Sequence, residues 1–308
     1  KNFTLFVLTF LFSTTTSLLA QNYQLVWEEN FNNNTLDSSI WNIEQTEGIW
    51  NTGANNEFQH YKKENVKVAD DGFGNGCLIL SAKKESKKLL AILIDPDKVV
   101  MNGISVLTTK IKLSPATHIF VGGSSFEGNH LDEIIIRLKS EINLPILLFP
   151  GNPSQISAEA DGILFLMLLS GRNPDYLVEH QINAVPILEK TNLEIISTGY
   201  ILIESGSETA VERVSKTKPL PKTNAEYIAQ TAKAGELIGN KILYLEAGSG
   251  ALNAVSEEII KEVSNRISVP LIVGGGIRSK KQIDTAYSAG ADLVVIGTAF
   301  ENDINFFD

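Results

Sequence analysis

One cysteine, Cys77, stands among 308 residues, which rules out an internal disulfide framework and any cysteine-built zinc site. Cys77 reads as a small apolar residue of a strand. Basic residues are also scarce: 26 Lys and Arg face 36 Asp and Glu, the formal net charge is -10, and no basic stripe occurs. Nucleic-acid backbones are held by clustered Lys and Arg, so a nucleic-acid partner is excluded. The four histidines, His60, His118, His130 and His180, show no metal-ligand spacing. The apolar run from Phe3 to Phe12 is too short for a bilayer-spanning helix, which needs about 20 apolar residues. Followed by small and polar residues up to Ala20-Gln21, it reads as a secretory signal peptide over residues 1–20.

What is present is ordinary core material, 43% hydrophobic, arranged in two stretches of different character. Residues 21–85 are rich in Asn and Trp, with short alternating apolar runs (Leu25-Val26-Trp27, Val66-Val68, Leu78-Leu80) between Asn, Gly and Asp turns. That pattern predicts a short all-β fragment with room for about five strands. Residues 86–308 alternate strand and helix strictly. Eight near-continuous Val, Ile and Leu runs are predicted as strands: 89–94, 118–121, 145–149, 162–166, 194–203, 241–246, 270–273 and 292–296. Helical patterns at 129–140, 224–237, 255–266 and 280–289 lie between them. Eight alternations over this length fit an α/β fold of the (β/α)₈ TIM-barrel type with phosphate-binding loops, with an open doubly wound sheet as the rival.

Barrel enzymes gather their chemistry at the C-terminal ends of the strands. There the sequence reads ILIDPDK, with Asp95 suited to a divalent cation and Lys98 to an anion, and then HIFVGGSS, with Ser124 offering a hydroxyl oxygen. YLEAGSG follows, Tyr244, Leu245, Glu246, Ala247, Gly248, Ser249 and Gly250, placing a carboxylate at the mouth beside small residues whose amides can face a phosphate. The last two ends are VGGGI, with Gly275 and Gly276, and IGTAF, with Gly297 and Thr298. Paired glycine loops after the seventh and eighth strands are the common phosphate clamp of such barrels. The aliphatic GILFLML, Gly162 to Leu168, together with Tyr200, is a candidate wall for a long apolar substrate or plain barrel core.

These strings carry a resemblance. IDPDK, VGGS, TGYILIESGS, YLEAGSG, VGGGIRS and IGTAFEND occur in this order in the geranylgeranylglyceryl phosphate synthases, especially their bacterial branch, and the match runs from Lys87 to Asp308. The resemblance implies a Mg²⁺-dependent prenyltransferase that joins a prenyl diphosphate to the C3 hydroxyl of sn-glycerol 1-phosphate. It implies Asp95 and Ser124 as metal ligands, Lys98 on the diphosphate, and Glu246 as the base with Tyr244 orienting the hydroxyl. Residues 244–250, Gly275, Gly276, Gly297 and Thr298 would hold the glycerol phosphate. It further implies a cytoplasmic reaction, transient membrane contact for the lipid product and contact between copies of the chain.

Residues 24–82 carry a different resemblance. WEENF, LDSSIWNIE, NNEFQHY and ENVKVADDG resemble the opening strands of laminarinase-type glycoside hydrolases. That family needs two carboxylates on one strand in a Glu-x-Asp-x-x-Glu pattern, and the sequence has none; Glu28 and Glu57 stand alone. Glucan hydrolysis is therefore not expected. A secreted glucan-binding fragment using Trp27, Trp41 and Trp50, or a sugar-phosphate isomerase or epimerase on the barrel, are the competing functions. The string AKKE, residues 82–85, suits both families, as the seam of a recombined or mis-joined gene would.

Overall fold

A computed structural model describes residues 66–70, 76–80, 88–123, 130–303 and 305–307. The signal-like segment, Trp27, Trp41, Trp50, Glu28, Glu57 and Ser124 lie outside the described residues. The chain divides into two units, Lys1–Lys84 and Glu85–Asp308. In the first, β1 (Val66–Asp70) and β2 (Gly76–Leu80) pair antiparallel, Val66 opposite Leu80 and Asp70 opposite Gly76. These are two of the strands expected from the alternating apolar runs.

The second unit is a closed barrel of eight strands, not an open sheet. Its strands are β3 (Leu89–Ile94), β4 (His118–Val121), β5 (Ile146–Leu148), β6 (Gly162–Leu168), β7 (Glu194–Leu202), β8 (Ile242–Glu246), β9 (Leu271–Gly274) and β10 (Leu293–Ile296). Each pairs in parallel with the next, and β10 pairs with β3, Leu293 opposite Leu89, to complete the ring. Closure leaves no edge strand exposed. Every strand matches a predicted apolar run to within two residues at either end, because parallel strands covered on both faces must be apolar throughout.

Alternation along each strand sorts the side chains into two cores. Leu90, Ile92 and Ile94 of β3 face outward into a large core shared with the helices. Ala91 faces inward, joining Phe120, Leu147, Leu164, Leu168, Tyr200, Leu202, Tyr244, Ile272 and Val295 inside the barrel. The outer layer consists of α1 (Ile104–Leu113), α2 (Leu131–Glu141), α3 (His180–Leu188), α4 (Ala210–Ser215), α5 (Ala225–Ile238), α6 (Glu257–Arg266), α7 (Lys280–Ser288) and the short α8 (Thr298–Asn302). Side chains start several of these helices by accepting a backbone N–H of the first turn: Asn224 caps α5, Ser256 α6 and Ser279 α7. Gly239, with φ of 113°, ends α5.

Candidate active site

The rim at the C-terminal strand ends encloses a cavity of about 480 Å³, within the range of small-molecule sites. One side is lined by Gly248, Ser249, Gly250, Gly275, Gly276, Gly297 and Thr298, the loops after β8, β9 and β10. The other side is apolar, made inside the barrel by Leu164, Leu166 and Leu168 of β6 with Tyr200, and extended by Ile163 and Phe165 on the strand's helix-facing side. Asp95 and Lys98, just past β3, stand at the mouth. The ring thus brings together the glycine loops, the aliphatic wall and the Asp95 and Lys98 pair that the sequence spreads over about 200 residues.

Glu246 lies at the centre. It ends β8, is 5% exposed, and its Oε1 accepts the Gly248 N–H at 2.6 Å. Burial raises its pKa from 4.5 to about 7, against the opposing pull of the Gly248 amide and the Tyr244 hydroxyl. A carboxylate so placed is a proton acceptor tuned to neutral pH. Gly275, with φ of 80°, is what lets the next loop reach it: a Cβ there would lie 2.2 Å from Glu246 Oε1.

Tyr244 is fully buried among aromatic rings, stacked on Phe149 at 5.3 Å between centroids and edge-on to Tyr200 at 5.3 Å. Its hydroxyl lies close enough to Glu246 to favour the carboxylate's charge, yet completes no hydrogen bond of ordinary geometry among the described residues. An unpartnered buried hydroxyl facing a cavity is suited to a ligand oxygen. Burial and the Glu246 charge push its pKa well above 10.0, so it stays a donor.

The strand alternation corrects two expectations. Leu245 does not line the cavity; between Tyr244 and Glu246 it points outward, fully buried in the core under the helices. Ala247 is also turned away, and its N–H is taken by the Gly274 carbonyl at 3.0 Å. With the Gly248 N–H on Glu246, the amides of residues 247 and 248 serve the protein itself; the exposed backbone at the mouth belongs to Ser249 and Gly250. Lys98 is likewise engaged, 2.8 Å from Glu301 and 3.2 Å from Asp95. Burial lowers its pKa, but Glu301 and Asp95 outweigh this and hold it above 10.5.

Several residues of the site are not among those the sequence singles out. Arg278, inside the VGGGIRS string, donates to the carbonyls of Leu252 at 3.0 Å and Ala251 at 2.5 Å, sewing the β8 loop to the β9 loop. Phe149 supplies the ring under Tyr244. A wide π-type turn, Asp175–Glu179, leads into α3 and presents Tyr176, His180 and Gln181 to the apolar side, where Gln181 donates to the Leu166 carbonyl. The string FPGNP after β5 is the available signal for Phe149, since glycine and proline at a strand end mark the rim.

A model of the PcrB family matches residues 83–307. The geranylgeranylglyceryl phosphate synthase of Flavobacterium johnsoniae is 61% identical over 230 residues, 75% of this chain and 95% of that protein. The synthase of Pyrococcus furiosus is 42% identical over 221 residues, 71% of this chain and 87% of that one. Among solved structures, (S)-3-O-geranylgeranylglyceryl phosphate synthase from Thermoplasma acidophilum in complex with sn-glycerol-1-phosphate aligns with a TM-score of 0.68 at 32% identity, covering 72% of this chain and 89% of that one. The family match begins at residue 83 and gives no support to the glucanase resemblance of the residues before it.

Proposed function

This chain belongs to the PcrB family, and from that premise we propose that it is a prenyltransferase moving a geranylgeranyl or similar group from its diphosphate to the C3 hydroxyl of sn-glycerol 1-phosphate. The observation that carries the reading is the position of Glu246: a buried carboxylate tuned to about pH 7, between glycine loops on one side and an aliphatic wall on the other of a single cavity. A phosphate suits the first and a prenyl tail the second.

The chemistry follows from that placement. The loops after β8, β9 and β10 anchor the glycerol phosphate through Ser249, Gly250, Gly275, Gly276, Gly297 and Thr298. Tyr244 donates to a glycerol oxygen, and Glu246 accepts the proton of the C3 hydroxyl. As the C3 oxygen bonds to the allylic C1 of the prenyl group, the bond from C1 to the diphosphate breaks and diphosphate leaves with the electron pair. The β6 wall keeps the tail and excludes water from the reacting carbon.

The residues at the mouth fit Mg²⁺. Among the described residues there is no group of three His, Cys, Asp or Glu able to hold a metal. Mg²⁺ is usually held by one or two carboxylates together with substrate phosphates and water, so the single carboxylate of Asp95 suits it, with Lys98 turning from Asp95 to the diphosphate. Asp95 and Ser124 are its proposed ligands. When bound, the ion neutralises charge on the departing diphosphate.

The apolar wall favours this reaction over a sugar-phosphate isomerase, which has no use for it. No helix among the described residues is long and apolar enough to cross a membrane. We place the reaction in the cytoplasm, beside the membrane that receives the lipid product. The test is transfer of labelled geranylgeranyl diphosphate to sn-glycerol 1-phosphate with Mg²⁺. Product is expected from the natural chain, with a loss of at least about 100-fold in Glu246→Gln, the scale of general base catalysis. A variant as active as the natural chain would remove Glu246 from the reaction.

A further inference from the structure

Outside the groups used above, one fully buried polar side chain spans two loops of the rim. Gln155 ends the short helical turn Pro153–Gln155 beyond β5 and is 1% exposed. Asn152 caps that turn by accepting the Ser154 N–H at 2.8 Å, which fixes where the turn begins. The Gln155 amide then reaches in two directions. Its Oε1 accepts the Gly151 N–H at 3.0 Å, within its own loop. Its Nε2 donates to the Gly123 carbonyl at 2.9 Å, in the loop after β4.

Gly123 packs directly against the mouth of the site. A Cβ on it would lie 3.0 Å from Asp95 Oδ1 and 3.4 Å from Asp95 Cγ, so its backbone is the wall behind that carboxylate. Asp95 itself is held at Oδ2 by Lys98 at 3.2 Å, while its Oδ1, the oxygen nearest Gly123, accepts the Asp97 N–H at 3.2 Å. The chain from Gln155 to Gly123 to Asp95 is therefore continuous contact, running from the β5 loop through the β4 loop to the β3 loop.

We propose that Gln155 is a positioning residue for the diphosphate end of the site, holding the Gly123 backbone against the Asp95 carboxylate. The inference rests on the function proposed above and deepens it, since it assigns to one end of the cavity a support that the other end does not share. The glycerol phosphate loops, after β8, β9 and β10, have their own tie through Arg278. Loss of Gln155 thus acts on one ligand and spares the other. The Gly151 N–H and the Gly123 carbonyl are half-buried backbone groups beside the cavity, and losing the two bonds to them is costly enough to shift the loop.

The experiment is calorimetric binding of two probes to the full-length protein: inorganic pyrophosphate with Mg²⁺, and sn-glycerol 1-phosphate. Gln155→Met keeps the side-chain length and removes the bonds to Gly151 and Gly123. It is expected to weaken pyrophosphate by about 10-fold or more and to leave glycerol 1-phosphate within about two-fold. Gln155→Glu, at pH 8, keeps the acceptor for Gly151 and replaces the donor facing Gly123 by an oxygen. It is expected to weaken pyrophosphate as much, and it serves where the methionine variant does not fold. Equal weakening of both probes assigns Gln155 a general structural role and overturns the proposal, as does unchanged pyrophosphate affinity. Natural protein that binds glycerol 1-phosphate and ignores magnesium pyrophosphate overturns the reading of the mouth and this inference together; natural protein that binds both, with variants that do the same, overturns this inference alone.

Discussion

At the scale of single residues the molecule places Glu246, the carboxylic acid most strongly tuned among the described residues, where folding suffers for it. Glu246 has a pKa of about 7 in the folded protein and 4.5 as an ordinary carboxyl. Between those values the folded chain keeps a proton that the unfolded chain has released. The stability from this group is therefore complete below pH 4.5 and is lost as pH rises through 7, by ~3 kcal/mol at ~1.4 kcal/mol per pKa unit. Glu246→Gln should accordingly melt several degrees higher than the natural protein at pH 8 and about equally at pH 5. A gain of the same size at both pH values would show that burial does not perturb the carboxylate. As the proposed base, the same group is expected to set the reaction's pH profile. kcat/KM should rise with pH and level off above about 7, and a profile flat from pH 6 to 8 would place the proton elsewhere.

At the scale of elements, strands and loops are legible in the sequence to different degrees. The strands can be read because each is apolar on both faces, and β3 and β4 match their predicted spans to the residue. Helices with a clear polar face and a capping Asn or Ser, such as α5 and α7, are equally plain. The entry to α3 is not: its π-type turn and the internal Pro186 break the periodicity on which such a reading depends. Site residues whose type announces chemistry, Asp95, Lys98, Glu246 and the glycines, stand out by their places at strand ends. Gln155 and Arg278 do not, because each works by reaching a neighbouring loop, and which loops are neighbours is decided only when the barrel closes. Leu245 and Ala247 enter the expected set as part of a contiguous string, whereas a strand offers only alternate residues to its cavity. The Arg278 tie is testable at this scale. Arg278→Ala loses both bonds to the β8 loop and is expected to raise KM for glycerol 1-phosphate by about 10-fold with a smaller change in kcat. An unchanged KM would mean that the loop holds its shape without the arginine.

At the scale of the whole molecule, the barrel unit accounts for what the relatives share with this chain. The family match starts at residue 83, and the alignment with the Flavobacterium johnsoniae protein spans 230 residues of this chain and 95% of that protein. A chain beginning at Lys83 is thus expected to melt within a few degrees of the full-length protein and to retain its transferase activity within about two-fold. A shortened chain that aggregates or loses activity would show that the preceding residues complete the barrel.

The order of strands around the ring carries a last consequence. β6, the aliphatic wall, stands four places from β10 in a ring of eight, diametrically across from it, and two from β8. The parts that grip the polar end and the part that accommodates the hydrocarbon are thereby mounted on different staves. On the proposed reading, a change of bulk in Leu164 or Leu166 lengthens or shortens the tail that fits without tilting Gly297 or Thr298. Reactivity and substrate length can drift apart in evolution, one being retuned while the other is left alone.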